Sequence, residues 1–93
     1  MNKVTIEAVS EVMQRFSIGQ SLYTISWNKP ELIEYTLSSI TIEVSSADYC
    51  NITFNLEHSN PSMSTFYSYH YLGEYFFDVK AVAEYKLKKK WSL

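Results

Sequence analysis

One cysteine, two histidines and a carboxylate beside one of them are the residues of this chain that could do chemistry. Cys50 would be a nucleophile if a base stood near it in an electropositive setting, because the thiolate is the attacking form. It lies instead in the alternation Cys50, Ile52, Phe54, Leu56, where a small buried hydrophobe is the simpler role. Glu57 and His58 have the types of an acid and a base, but neither has a recognisable partner. His70 sits between Tyr69 and Tyr71, the setting of an edge or interface residue. A lone cysteine with His58 and His70 lacks the paired spacing of a zinc site, so no metal and no cofactor is expected. The only glycines, Gly19 and Gly73, cannot build a loop that cradles phosphate. No catalytic residue is assigned, and the chain is not expected to be an enzyme.

Binding is better represented than catalysis. The stretch Phe66–Phe77 holds seven of the fifteen aromatic residues of a 93-residue chain. A core this small cannot hide every ring, so some face solvent or a partner. Residues 1–79 carry nine acids against three bases, a balance of −6; residues 80–93 carry five lysines against one acid, a balance of +4. An acidic body repels nucleic acid and suits a basic partner surface. The basic tail offers a second chemistry. Lys86, Lys88, Lys89 and Lys90 could touch phosphates while Trp91 stacks on a base. The same lysines at a helix C-terminus simply complement its dipole.

The elements that position these residues follow from periodicity. Val9, Val12, Met13 and Phe16 fall on one helix face over roughly 5–16, with Thr5 available as a cap and Gly19 as a stop. Val4-Thr5-Ile6 as a short strand is the competing reading. Leu22 to Trp27 alternates as a strand and ends at the turn Asn28-Lys29-Pro30. A long run from Glu31 to Val44 buries Ile33, Tyr35 and Leu37, then Ile40, Ile42 and Val44. The parity changes across Ser38-Ser39, which predicts a bulge or sharp bend there. Ser45 to Asp48 reads as a turn, and Cys50 to Leu56 as a one-sided strand. After a loop from His58 to Met63, residues 64–71 form a strand with rings on both faces. Either Phe66 or the set Tyr67, Tyr69 and Tyr71 points outward. Gly73 breaks this strand, and Glu74 to Phe77 form a short last one. Asp78 caps a final helix over 79–90, whose Val79, Val82, Ala83 and Leu87 face inward.

These elements make a single domain, 1–93, of α+β class: an N-terminal helix, a small curled antiparallel sheet of about five strands of the SH3-like barrel type, and a C-terminal helix. No apolar run approaches membrane-spanning length, and the first residues lack the apolar region of a secretion signal. One cysteine makes no internal disulfide. The cytoplasm is the expected compartment.

Phe16 to Ile25, with Gly19 between, resembles the opening F-x-x-G-x-x-v-y-x-i of small SH3-like β-barrel proteins of phages and prophages. Phe76-Phe77-Asp78-Val79-Lys80-Ala81-Val82 resembles the start of their closing helix. The resemblance covers about a quarter of the chain. It implies the fold and a mobile-element origin, and it carries no catalytic residue over. Three functions stay open. The favoured one is a non-enzymatic protein-binding module that occludes a partner, such as a host defence nuclease with a basic channel. Its surface would be Phe66, Tyr67, Tyr69, His70 and Tyr71 with Glu57 and Glu74. The others are a nucleic-acid-binding accessory domain using the basic tail, and a homodimer or larger assembly of the chain.

Overall fold

The computed structural model describes residues 3–92. Five strands form one antiparallel sheet: β1 (Lys3–Thr5), β2 (Ser21–Ile25), β3 (Leu32–Val44), β4 (Tyr49–Glu57) and β5 (Thr65–Ser68). Two α-helices accompany it, α1 (Glu7–Arg15) and α2 (Lys80–Trp91). The strand order is β1-β4-β3-β2, with β5 also on β4. Since β3 runs along one edge of β4, β1 and β5 lie end to end along the other. β1 pairs with Tyr49–Asn51 and β5 with Thr53–Leu56. The result is an α+β fold whose sheet curls into a half-barrel.

Burial follows the alternation of β4. Cys50, Ile52, Phe54 and Leu56 are buried, and Asn51, Thr53 and Asn55 stand on the outer face. Ile40 and Ile42 of β3 pair with Phe54 and Ile52 and share their inner face. The parity change has its predicted cause: the β3–β4 register shifts between Leu37 and Ser39. The Ser38 hydroxyl donates to the Asn55 carbonyl at 2.9 Å, fixing the bulge to the neighbouring strand. Val12 and Phe16 of the first helical segment close over the inner face.

Several expected details differ. Both N-terminal readings hold in part, because a three-residue strand precedes the helix. Thr5 is paired with Tyr49 in that strand and makes no cap; the Ile6 amide instead donates to the Asp48 carbonyl at 3.0 Å. Met13 is 56% exposed; Val12 and, just past the helix, Phe16 make the buried contact, with Ile6 and Val9 packed beside them. Val44 is 71% exposed, out at the end of the sheet. Gly19, with φ +97°, is the turn after α1 rather than its last residue. Its amide donates to the Leu37 carbonyl at 2.8 Å and starts β2 along β3.

The strand expected over 64–71 stops at Ser68, and Tyr69–Tyr71 form a 3₁₀ turn. The reason is occupancy. Ser68 pairs with Thr53, so Tyr69 and His70 would next meet Ile52 and Asn51, and Asn51 already pairs with Lys3. The chain leaves the sheet there and crosses the open side of the half-barrel. Glu74–Phe77 is not a strand either. It makes single bridges, Leu72 to Phe76 and Tyr23 to Phe77. Phe77 exchanges two backbone hydrogen bonds with Tyr23, at 2.8 and 2.9 Å, and so straps the segment to the edge of β2.

Asp78 does not cap α2. Arg15 takes its carboxylate in a bidentate pair, Nε at 3.0 Å and Nη2 at 3.1 Å, and Val79 in extended conformation stands at the cap position. Only Ala83 of α2 is buried, while Val79 and Val82 are 48% and 44% exposed. Phe76 and Phe77 already fill the space such residues would take, so the helix rests on β2 and β3 through its smallest side chain.

Candidate functional site

Antiparallel partners share a face of the sheet. Tyr67 pairs with Phe54 and therefore points inward; Phe66 pairs with Asn55 and points outward. The choice left open by two-sided aromatic spacing is thus decided by register. Tyr67 stacks on Phe76, with centroids 5.4 Å apart and planes 17° from parallel. Tyr69 leans on Phe54 at 6.0 Å. Both belong to the wall of the core, so alanine at either would damage the fold along with any contact. Tyr71 is half-buried, with His70 and Tyr75 edge-on to it at 5.0 and 4.9 Å.

Burial lifts the Tyr67 hydroxyl above its ordinary value of 10.0, and the neighbouring Tyr35 adds to the rise. The folded chain therefore holds this proton more tightly than the unfolded one. The resulting stability is complete below pH 10.0 and is lost as pH climbs from there through the folded value. Tyr67→Phe should flatten the alkaline decline of the urea midpoint; an unchanged slope would remove Tyr67 as its source.

On the outer face of the sheet this leaves Phe66, 68% exposed; Tyr75, in the segment after the 3₁₀ turn, is exposed as well, at 52%. The sheet beneath Phe66 is held by side-chain hydrogen bonds. The Asn55 side-chain amide donates to Ser39 Oγ and to Thr41 Oγ1, each at 3.0 Å, tying β4 to β3 across the outer face. A shallow depression lies on either side of the ring. One, about 370 Å³, is lined by Ser38, Asn55, Glu57 and Ser64. The other, about 300 Å³, is lined by Asn51, Thr53, Ser68 and Tyr71. Of the expected surface, the structure brings together Phe66, Glu57 and Tyr71. Exposed His70 projects from the turn next to Tyr71.

Glu74 meets only Tyr67 of that surface: the two line another notch, of about 410 Å³, with Trp27, Tyr75, Ile25 and Lys90. Trp27, 83% exposed, is the residue that sequence reasoning passed over. Its place beside Asn28-Lys29-Pro30 was the available signal, because a ring entering a tight turn has no sheet neighbour to cover it.

Three of the tail lysines share a face of α2: Lys86, Lys89 and Lys90 stand at i, i+3 and i+4, within about 100° of one another, and Lys88 lies on the other side. Lys89 Nζ sits 5.8 Å from the Tyr85 ring centroid. The Trp91 indole N–H is buried without a hydrogen-bond partner, so that edge of the ring is turned inward.

Cys50 is fully buried. His58 Nδ1 accepts from the Asn60 amide at 2.9 Å, and its ring stands edge-on to Tyr35 at 5.6 Å. Among the described residues no group of three or more His, Cys, Asp or Glu could hold a metal, and no helix is long and apolar enough to cross a membrane. No protein-family model matches the chain, and neither does any curated protein or solved structure.

Proposed function

We propose that the chain is a non-enzymatic binding module whose outer sheet face docks on another protein and occludes it. The observation that carries this reading is Phe66: a phenyl ring 68% exposed on a strand, bordered by two shallow depressions. Binding energy concentrates in a few anchors ringed by groups that exclude water. Asn55, Ser39 and Thr41 hold the platform in place before a partner arrives, which reduces the ordering cost of association. The partner's matching surface is an apolar cleft with a basic rim, because Glu57 and Glu43 stand exposed on this part of the sheet and residues 1–79 carry −6. Occupying the basic channel of a nuclease is one form such occlusion takes, in keeping with an origin on a phage or other mobile element.

Phe66→Ala tests the anchor. The ring lies outside the core, so thermal stability should stay within a few degrees of wild type. Affinity for a partner captured by the wild-type chain should fall about 30-fold or more, the scale of an anchor worth about 2 kcal/mol. Undiminished binding by a folded Phe66→Ala chain would show that this face is not the contact.

A further inference from the structure

We infer that the free edge of β3 pairs two copies of this chain into a symmetric dimer. β2 lies along only the first part of β3, from Leu32 to Thr36. Gly19 and Gln20 then take both backbone groups of Leu37. Past that point β4 continues on the opposite edge as far as Val44, and no described residue bonds to the β2-side edge over Ser39–Val44. Alternate residues of such an edge direct N–H and C=O outward, a ready template for another strand. The usual blunting devices are scarce. The run Ser39-Ile40-Thr41-Ile42-Glu43-Val44 has no proline, no lysine and one charge.

The occupant that fits is a second copy, because the edge is complementary to itself. Thr41 is the midpoint of residues 38–44. Antiparallel pairing about it sets Thr41 opposite Thr41, Ile40 opposite Ile42 and Ser39 opposite Glu43. No like charges face each other, and β-branched side chains meet across the axis, the arrangement that stabilises cross-strand pairs. Ile40 and Ile42 are only half-buried and Val44 is 71% exposed, so the pairing also covers apolar surface. Since opposed residues share a face, both Phe66 rings would lie on one side of a continuous sheet, each beyond its own β4. This inference does not depend on what Phe66 binds.

Charge at the axis tests it. Light scattering on the full chain should give twice the monomer mass of 10.9 kDa. Thr41→Lys alone and Thr41→Glu alone should each fall to monomer mass, through two like charges brought face to face. An equimolar mixture of the two should recover the doubled mass. Wild-type chain that stays monomeric at the highest soluble concentration overturns the inference, and so does a Thr41→Lys chain that remains dimeric. Amide exchange on the wild type supplies a test free of mutation. The Ser39–Val44 amides that point outward should exchange more slowly as protein concentration rises; rates independent of concentration overturn the pairing.

Discussion

Phe54→Ala should cost about 3–5 kcal/mol, the range for emptying a buried aromatic site. Phe54 is fully buried at the middle of β4, and three rings meet it. Phe16 from the N-terminal side lies 4.8 Å away, Phe76 from the strap 5.3 Å, and Tyr69 from the 3₁₀ turn 6.0 Å. Segments from both ends of the chain thus converge on one side chain. Removing it leaves a void that none of them can fill without giving up its own packing in the core. A small domain has a total margin of about 5–15 kcal/mol, and this one stands toward the lower end because short chains bury less surface. The variant should therefore unfold at a much lower urea concentration with the slope of the transition preserved. Phe54→Leu, which keeps most of the volume, should lose clearly less. A loss below about 1 kcal/mol for the alanine variant would mean that the rings can close over the gap.

Deleting Thr41 should be far more damaging than deleting Ser38. Leu37 faces Leu56 and Ser39 faces Asn55, so between Thr36 and Val44 Ser38 is the one residue without a partner on β4. Taking it out leaves Leu37, Ser39, Ile40 and Ile42 opposite the same residues in unbroken alternation, and both isoleucines stay on the inner face. That shortened chain should still melt cooperatively, having lost the local bend. Thr41 lies in the regular part of the ladder, opposite Thr53. Without it Ile40 and Ile42 become adjacent and cannot both face inward, because the strand repeat is two. Either one isoleucine moves to the outer surface, or the pairing with β4 slips and the hairpin at Ser45 to Asp48 is lost. The Thr41 deletion should abolish the cooperative thermal transition and collapse the dispersion of the amide spectrum. Ser38→Ala removes only the 2.9 Å hydrogen bond to the Asn55 carbonyl and should cost about 1 kcal/mol. A Thr41 deletion that melts like wild type would show that the register past the bulge is not held.

The contrast between β3 and the aromatic segment shows what could be read from the residues. Period-two burial is written into every position of β4, and the parity change at Ser38-Ser39 is equally local. Both were legible for that reason. The end of β5 was not, because it depends on β1 occupying the same edge of β4 from the other end of the chain. The fate of Asp78 was hidden in the same way: its good capping chemistry lost to Arg15, 63 residues away in sequence. At the candidate site, the excess of rings over Phe66–Phe77 was visible at once. Its division was not. Most of those rings serve the core and the strap, and only the register of Ser68 on Thr53 leaves Phe66 as the one turned to the outer face. The exposure of Trp27 is likewise a matter of assembly.

Cys50, which began as a candidate nucleophile, has a different use. Its thiol is fully buried and lies between Val4 and Val44, one on each flanking strand. A reagent in solvent reaches it only when β1 or the end of β3 comes away. As the only thiol in the chain, it is a natural clock for that event. Under native conditions its labelling rate counts openings of this corner of the sheet. Compared with the global unfolding free energy, that rate tells whether the N-terminal strand lets go by itself or only when the whole domain does.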